Sequence, residues 1–164
     1  MTTLLKTCAL ALVLLIAGTA VAAEKLIPAT VYKDPNCSCC EEYVRYLGKN
    51  GFRVKVVVMD DMQPVKRQHK IPKLYESCHT VLVGGYVVEG HVPVAAIQKL
   101  LAEKPKILGI SVPGMPAGSP GMGGEKTEPL KVYEIAPDKT QVFFRGIDGG
   151  FPPICRVCGM PKMQ

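Results

Sequence analysis

An α/β fold follows from three features of the sequence. Predicted elements run β-α-β-α-β-β-α between residues 26 and 103. A Cys-x-x-Cys pair, Cys37 and Cys40, sits where the first strand feeds the first helix. A hairpin with a bare Gly84-Gly85 turn follows the second helix. A right-handed β-α-β unit, then a hairpin and a closing helix, is the thioredoxin-like order. A Gly/Pro/Met-rich loop, a second hairpin and a Cys-containing tail extend it toward the C-terminus.

Residues 26–33 read as the first strand, ended by Asp34-Pro35-Asn36. A helix is predicted over 37–49, because Cys40, Tyr43, Val44 and Leu47 recur at i, i+3, i+4, i+7. Asn36 is its candidate N-cap, Glu41 and Glu42 suit the positive end of its dipole, and Gly48 or Gly51 ends it. Residues 52–59 form a Val-rich strand, and 62–70 a short helix stopped before Ile71-Pro72. Strands over 80–83 and 86–89 flank the Gly-Gly turn. A helix over 94–103 turns Val94, Ile97 and Leu101 inward. Residues 107–129 are a loop rich in Gly and Pro, ordered only if something pins it. Residues 130–135 and 141–145 form the second hairpin, and an irregular tail follows. The expected organisation is therefore an N-terminal segment 1–23, a domain 24–106, an extension 107–146 and a tail 147–164.

The first 23 residues carry Lys6, an apolar run from Ala9 to Ala17, and Ala20-Val21-Ala22 in the small-x-small pattern of a signal-peptidase site. The run is short for a bilayer span of ~20 residues, so cleavage and export are expected, to the periplasm in a Gram-negative host. No later stretch is long enough to span. The formal charge of +6 is spread over scattered Lys and Arg without interleaved aromatics. Together with export, this argues against nucleic acid as a partner. Three His and no Trp leave little for a multi-histidine catalytic design.

Without Cys8, six cysteines remain: Cys37, Cys39, Cys40, Cys78, Cys155 and Cys158. Three disulfides would be ordinary in an exported protein. However, three of the six lie within four residues, and adjacent Cys39 and Cys40 are poorly placed to bridge each other. A helix N-terminus favours thiolate, the form that binds metal or attacks disulfides. Cys37, Cys39 and Cys40 can all reach a small volume beyond that helix end. In this fold Cys78 and His79, entering the third strand, face the Cys-x-x-Cys pair. His91 follows a strand parallel to the first and reaches the same sheet edge. Met115 and Met122 sit in a Gly/Pro loop with no core to fill, and thioether plus thiolate is the ligand set that selects Cu(I). Cys155 and Cys158 supply two ligands of the four a closed site needs. An inert Cys37–Cys40 disulfide is the plain alternative.

Cys-x-Cys-Cys, Leu47-Gly48-x-x-Gly51-Phe52, Ser77-Cys78-His79-Thr80, the run from Gly84 to Pro93, and the run from Val112 to Met122 occur in that order. Together they resemble the CopG-type periplasmic copper-resistance proteins, a thioredoxin-like metal-binding family. The resemblance implies multinuclear copper held by Cys37, Cys39, Cys40 and Cys78, with copper redox cycling as a further output. His79, His91, Met115 and Met122 match motif positions. Tyr43 stands where Trp is expected, and the Cys155/Cys158 tail lies outside the pattern. Copper ions and other periplasmic copper-handling proteins are the implied partners. Two other readings stand beside it: a thiol–disulfide oxidoreductase using Cys37 and Cys40, and a zinc module drawing on Cys155 and Cys158.

Overall fold

A computed structural model describes residues 25–125, 128–136 and 140–146. The proposed signal segment and the Cys155/Cys158 tail lie outside the described residues. Strands β1 (Ile27–Lys33), β2 (Phe52–Val58), β3 (His79–Val83), β4 (Tyr86–Glu89), β5 (Gly109–Ser111), β6 (Leu130–Glu134) and β7 (Val142–Gly146) alternate with helices α1 (Ser38–Lys49), α2 (Gln63–Gln68) and α3 (Val94–Glu103). A 3₁₀ turn spans Lys73–Tyr75. All seven strands form one sheet, ordered β2-β1-β3-β4-β5-β6-β7. The β1/β2 and β4/β5 pairs are parallel and the others antiparallel.

The register sets where the chemistry sits. Lys33 at the end of β1 pairs with His79 at the start of β3, and Thr80 pairs with Glu89 at the end of β4. The segments following Lys33, preceding His79 and following Glu89 therefore meet at one sheet edge. Strand alternation splits the core. Val31, Val81, Val88 and Ile110 pack with Tyr43 and Leu47 of α1 and with Ile97 and Leu100 of α3. Val87, on the opposite face, packs with Ile71, Tyr75 and Ile135. Each such side chain contributes about 1.5–3 kcal/mol relative to exposure.

Several boundaries differ from the sequence reading. The cap of α1 is Cys37, with extended backbone and no side-chain cap bond; Asn36 is not the cap. Asp34 has already claimed this turn, accepting the Asn36 N–H at 2.8 Å. Helix α2 is shorter than expected because Lys70 turns left-handed at φ 53 before Ile71. In α3 Val94 and Ile97 are buried as expected, but Leu100 is fully buried in place of the expected Leu101, which is half-buried. The stretch read as loop contains β5, where a Cβ on Gly109 would lie 1.8 Å from the Val87 carbonyl oxygen. Through β5, the second hairpin continues the main sheet. Lys99 fastens it to α3, with Nζ 3.2 Å from the Phe143 carbonyl and 4.1 Å from the centre of its ring. Among the described residues, no helix is long and apolar enough to cross a membrane.

Candidate metal centre

Four cysteine sulfurs meet beyond the N-terminus of α1. Cys37, Cys39, Cys40 and Cys78 place their Sγ atoms within 4.8 Å of one another. Cys37 and Cys40 are disulfide-bonded, whereas Cys39 and Cys78 are free. Cys78 Sγ lies 3.2 Å from Cys37 Sγ and 3.3 Å from Cys40 Sγ, and Cys39 Sγ lies 3.4 Å from Cys37 Sγ. Burial, then the neighbouring Cys39, pushes the Cys78 thiol up to about 11.

His79 is fully buried behind the sulfurs. Its Nε2 is 3.1 Å from the Gly90 carbonyl, which only accepts, so Nε2 carries the proton. Its Nδ1 is left as a lone pair 3.5 Å from Cys40 Sγ and 3.8 Å from Cys78 Sγ. Burial, with His91 and Lys66 nearby, pushes His79 down to about 3, so the ring is neutral at ordinary pH. A neutral imidazole with a lone pair turned toward thiols is a competent soft-metal ligand or proton acceptor.

His91 lies one ring further in, its centroid 5.1 Å from that of His79 and 4.9 Å from that of Tyr43. Its Nδ1 donates to the Pro120 carbonyl at 2.6 Å, and its buried Nε2 has no hydrogen-bond partner among the described residues. Burial pushes it down as well. His91 thus holds the Gly/Pro loop. Gly121, at φ +76, presses the same loop onto α1, where a Cβ would come 2.8 Å from the Tyr43 nitrogen. This brings Met115 Sδ to 3.8 Å from Cys78 Sγ. Met122 donates its N–H to the Ser119 carbonyl and does not line the cavity over the sulfurs. That open cavity, about 500 Å³, is bordered by Met115, Met62 and the carboxylates of Asp34, Asp60 and Asp61.

A buried ion pair backs the site. Lys66 Nζ lies 2.7 and 2.9 Å from the two Glu89 carboxylate oxygens, with both side chains essentially inaccessible. Burial pushes Glu89 up, while Lys66, Thr80 and Ser77 pull it back. No local pattern marks Lys66 apart from the solvated Arg67, Lys70 and Lys73, or Glu89 apart from an exposed strand end. The Thr80–Glu89 register sets Glu89 beside Thr80, and the packing of α2 on β3 and β4 brings Lys66 to both.

A family described as "Protein of unknown function, DUF411" matches residues 75–122. A search of curated proteins gave no match. Two solved structures of a copper resistance protein, copG Form 1 and Form 2, are each 38% identical to this chain with a TM-score of 0.67. They cover 74% and 73% of this chain, and 98% of their own. At that identity, over nearly the full length of both solved chains, this chain belongs to the CopG family of copper resistance proteins.

Proposed function

We propose that this protein is an exported, periplasmic copper-binding protein that takes up Cu(I) on thiolates of Cys37, Cys39, Cys40 and Cys78, for copper tolerance. The observation that carries this reading is the gathering of four sulfurs from two chain segments within 4.8 Å. Bridging thiolates at such spacing suit a cluster of several Cu(I) ions. Met115 Sδ and the His79 Nδ1 lone pair add donors that Cu(I) accepts. We read β1–β4 with α1–α3 as the thioredoxin-like unit that presents them. Copper is the cargo here: the resident chemistry is thiolate coordination, with protons released as each thiol binds metal.

The Cys37–Cys40 bond makes binding depend on redox state, because two sulfurs are unavailable as thiolates until two electrons and two protons open it. An anaerobic Cu(I) titration of the reduced protein against a competing chelator tests the reading. Two or more retained equivalents, lost in Cys37→Ser/Cys40→Ser, are expected. No retention would remove it.

The same disulfide favours a second reading, a thiol–disulfide oxidoreductase. Cys78 is nearly equidistant from both bonded sulfurs, so it lies beside the bond rather than along its axis, where an attacking thiolate must come. Insulin reduction by the metal-free protein at a thioredoxin-like rate would promote this reading over the first.

A further inference from the structure

Lys66 and Glu89 make contacts that converge on residues flanking Cys78, yet neither is among the contacts of a sulfur. Lys66 Nζ donates to Glu89, to Thr80 Oγ1 at 2.9 Å and to the His79 carbonyl at 3.2 Å. The Glu89 carboxylate accepts the Ser77 N–H at 2.8 Å and the Thr80 hydroxyl. Ser77 Oγ lies 2.9 Å from Glu89 Oε2 and 2.7 Å from the His79 carbonyl, its one proton serving either. The same oxygen accepts the Gly90 N–H at 2.9 Å. Gly90 in turn offers the carbonyl that fixes the His79 tautomer. Ser77, His79, Thr80 and Gly90 are therefore all pinned by one buried pair, with Cys78 held between them. Lys66 stands on α2, which begins just after the Asp60-Asp61-Met62 border of the cavity, so the pair also ties that border to the sulfurs.

We propose that Lys66 and Glu89 are positioning residues that hold Cys78 and the His79 Nδ1 lone pair against the Cys37/Cys39/Cys40 sulfurs. Two neutral alternatives would pack the same space without the cost of desolvating two charges, so stability alone does not account for the pair. What the charges add is direction. A carboxylate accepts from several donors at once, and an ammonium points three protons at fixed acceptors.

The test uses the full-length mature protein. Lys66→Met/Glu89→Gln removes both charges without leaving one unpaired. In metal-free protein with the Cys37–Cys40 disulfide intact, peptide mapping follows the alkylation rate of Cys78, which should change several-fold. Cu(I) affinity of the reduced protein should fall by about 10–100-fold, the range for lost outer-shell partners. Tyr86→Phe, which loses a hydroxyl bond to the Pro105 carbonyl at the far end of β4, is the control and should alter neither. If the double variant does not fold, Thr80→Val should show the same changes in smaller degree, with Thr80→Ser restoring wild-type values. Folded variants matching the wild type in both readouts, or matching the control, would overturn the proposal. The affinity readout rests on the copper reading, and the alkylation readout does not. A wild type that retains no Cu(I) would therefore remove that reading alone.

Discussion

His79 and His91 each commit one ring nitrogen to a backbone carbonyl and keep the other as a lone pair inside the protein. Both are pushed down by burial, His79 to about 3 against an ordinary 6.5. As pH falls below 6.5 the unfolded chain takes up protons that the folded one refuses, so stability is lost. The loss reaches about 1.4 kcal/mol per pH unit for each fully refused proton. Glu89, pushed up by burial, works in the opposite sense. Comparison with His79→Gln cancels that contribution. The urea midpoint of metal-free protein should drop between pH 7 and 5, and drop less steeply in His79→Gln. Equal slopes would refute the burial argument. Cys78 gives a second pH prediction. With the thiol pushed up to about 11, its alkylation in the disulfide form should rise about tenfold per pH unit from 7 to 10 without a plateau. A plateau near 8 or 9 would mean that the thiol is not held in its buried, neutral form.

At the scale of elements, the loop after β5 depends on close approach to α1. Gly121→Ala would force a Cβ against the Tyr43 backbone at a φ that L side chains rarely adopt, costing about 1–3 kcal/mol. Hydrogen exchange should accelerate across residues 112–124 while β1–β4 stay protected; uniform exchange would show that the loop is not pinned there. The sequence revealed the elements with strong periodicity. The apolar face of α1 put Cys40, Tyr43 and Leu47 inside, and the Gly-Gly hairpin fell where expected. It hid β5, because three residues carry no measurable period and their pairing is wholly non-local. It hid the Lys66–Glu89 pair for the same reason: burial of two opposite charges is a property of how α2 packs on β3 and β4, not of either segment. The cysteines and histidines were visible as types at telling positions. The structure adds which ring nitrogen of each histidine is committed and which sulfurs are bonded.

At the scale of the molecule, the fold does not rest on the Cys37–Cys40 bond. That bond closes a loop with a sequence separation of only 3, and chain-entropy reasoning gives such a loop at most about 2 kcal/mol. The seven-stranded sheet and its two apolar clusters supply the rest. Reduction without metal should lower the melting temperature by a few degrees and leave the circular dichroism spectrum unchanged; collapse of the fold on reduction would contradict this. The protein is thus free to interchange its sulfur states without unfolding.

The antiparallel course of β3 and β4 has a practical consequence. β3 leaves the sulfur-bearing edge and β4 returns to it, and their turn at Gly84-Gly85 is exposed about 16 Å away, the length of five extended residues. A Cβ at Gly85 would meet nothing within 4 Å. This turn is therefore a natural anchoring point: a linker or an electrode tether inserted there would orient every immobilised molecule with its thiols facing solution.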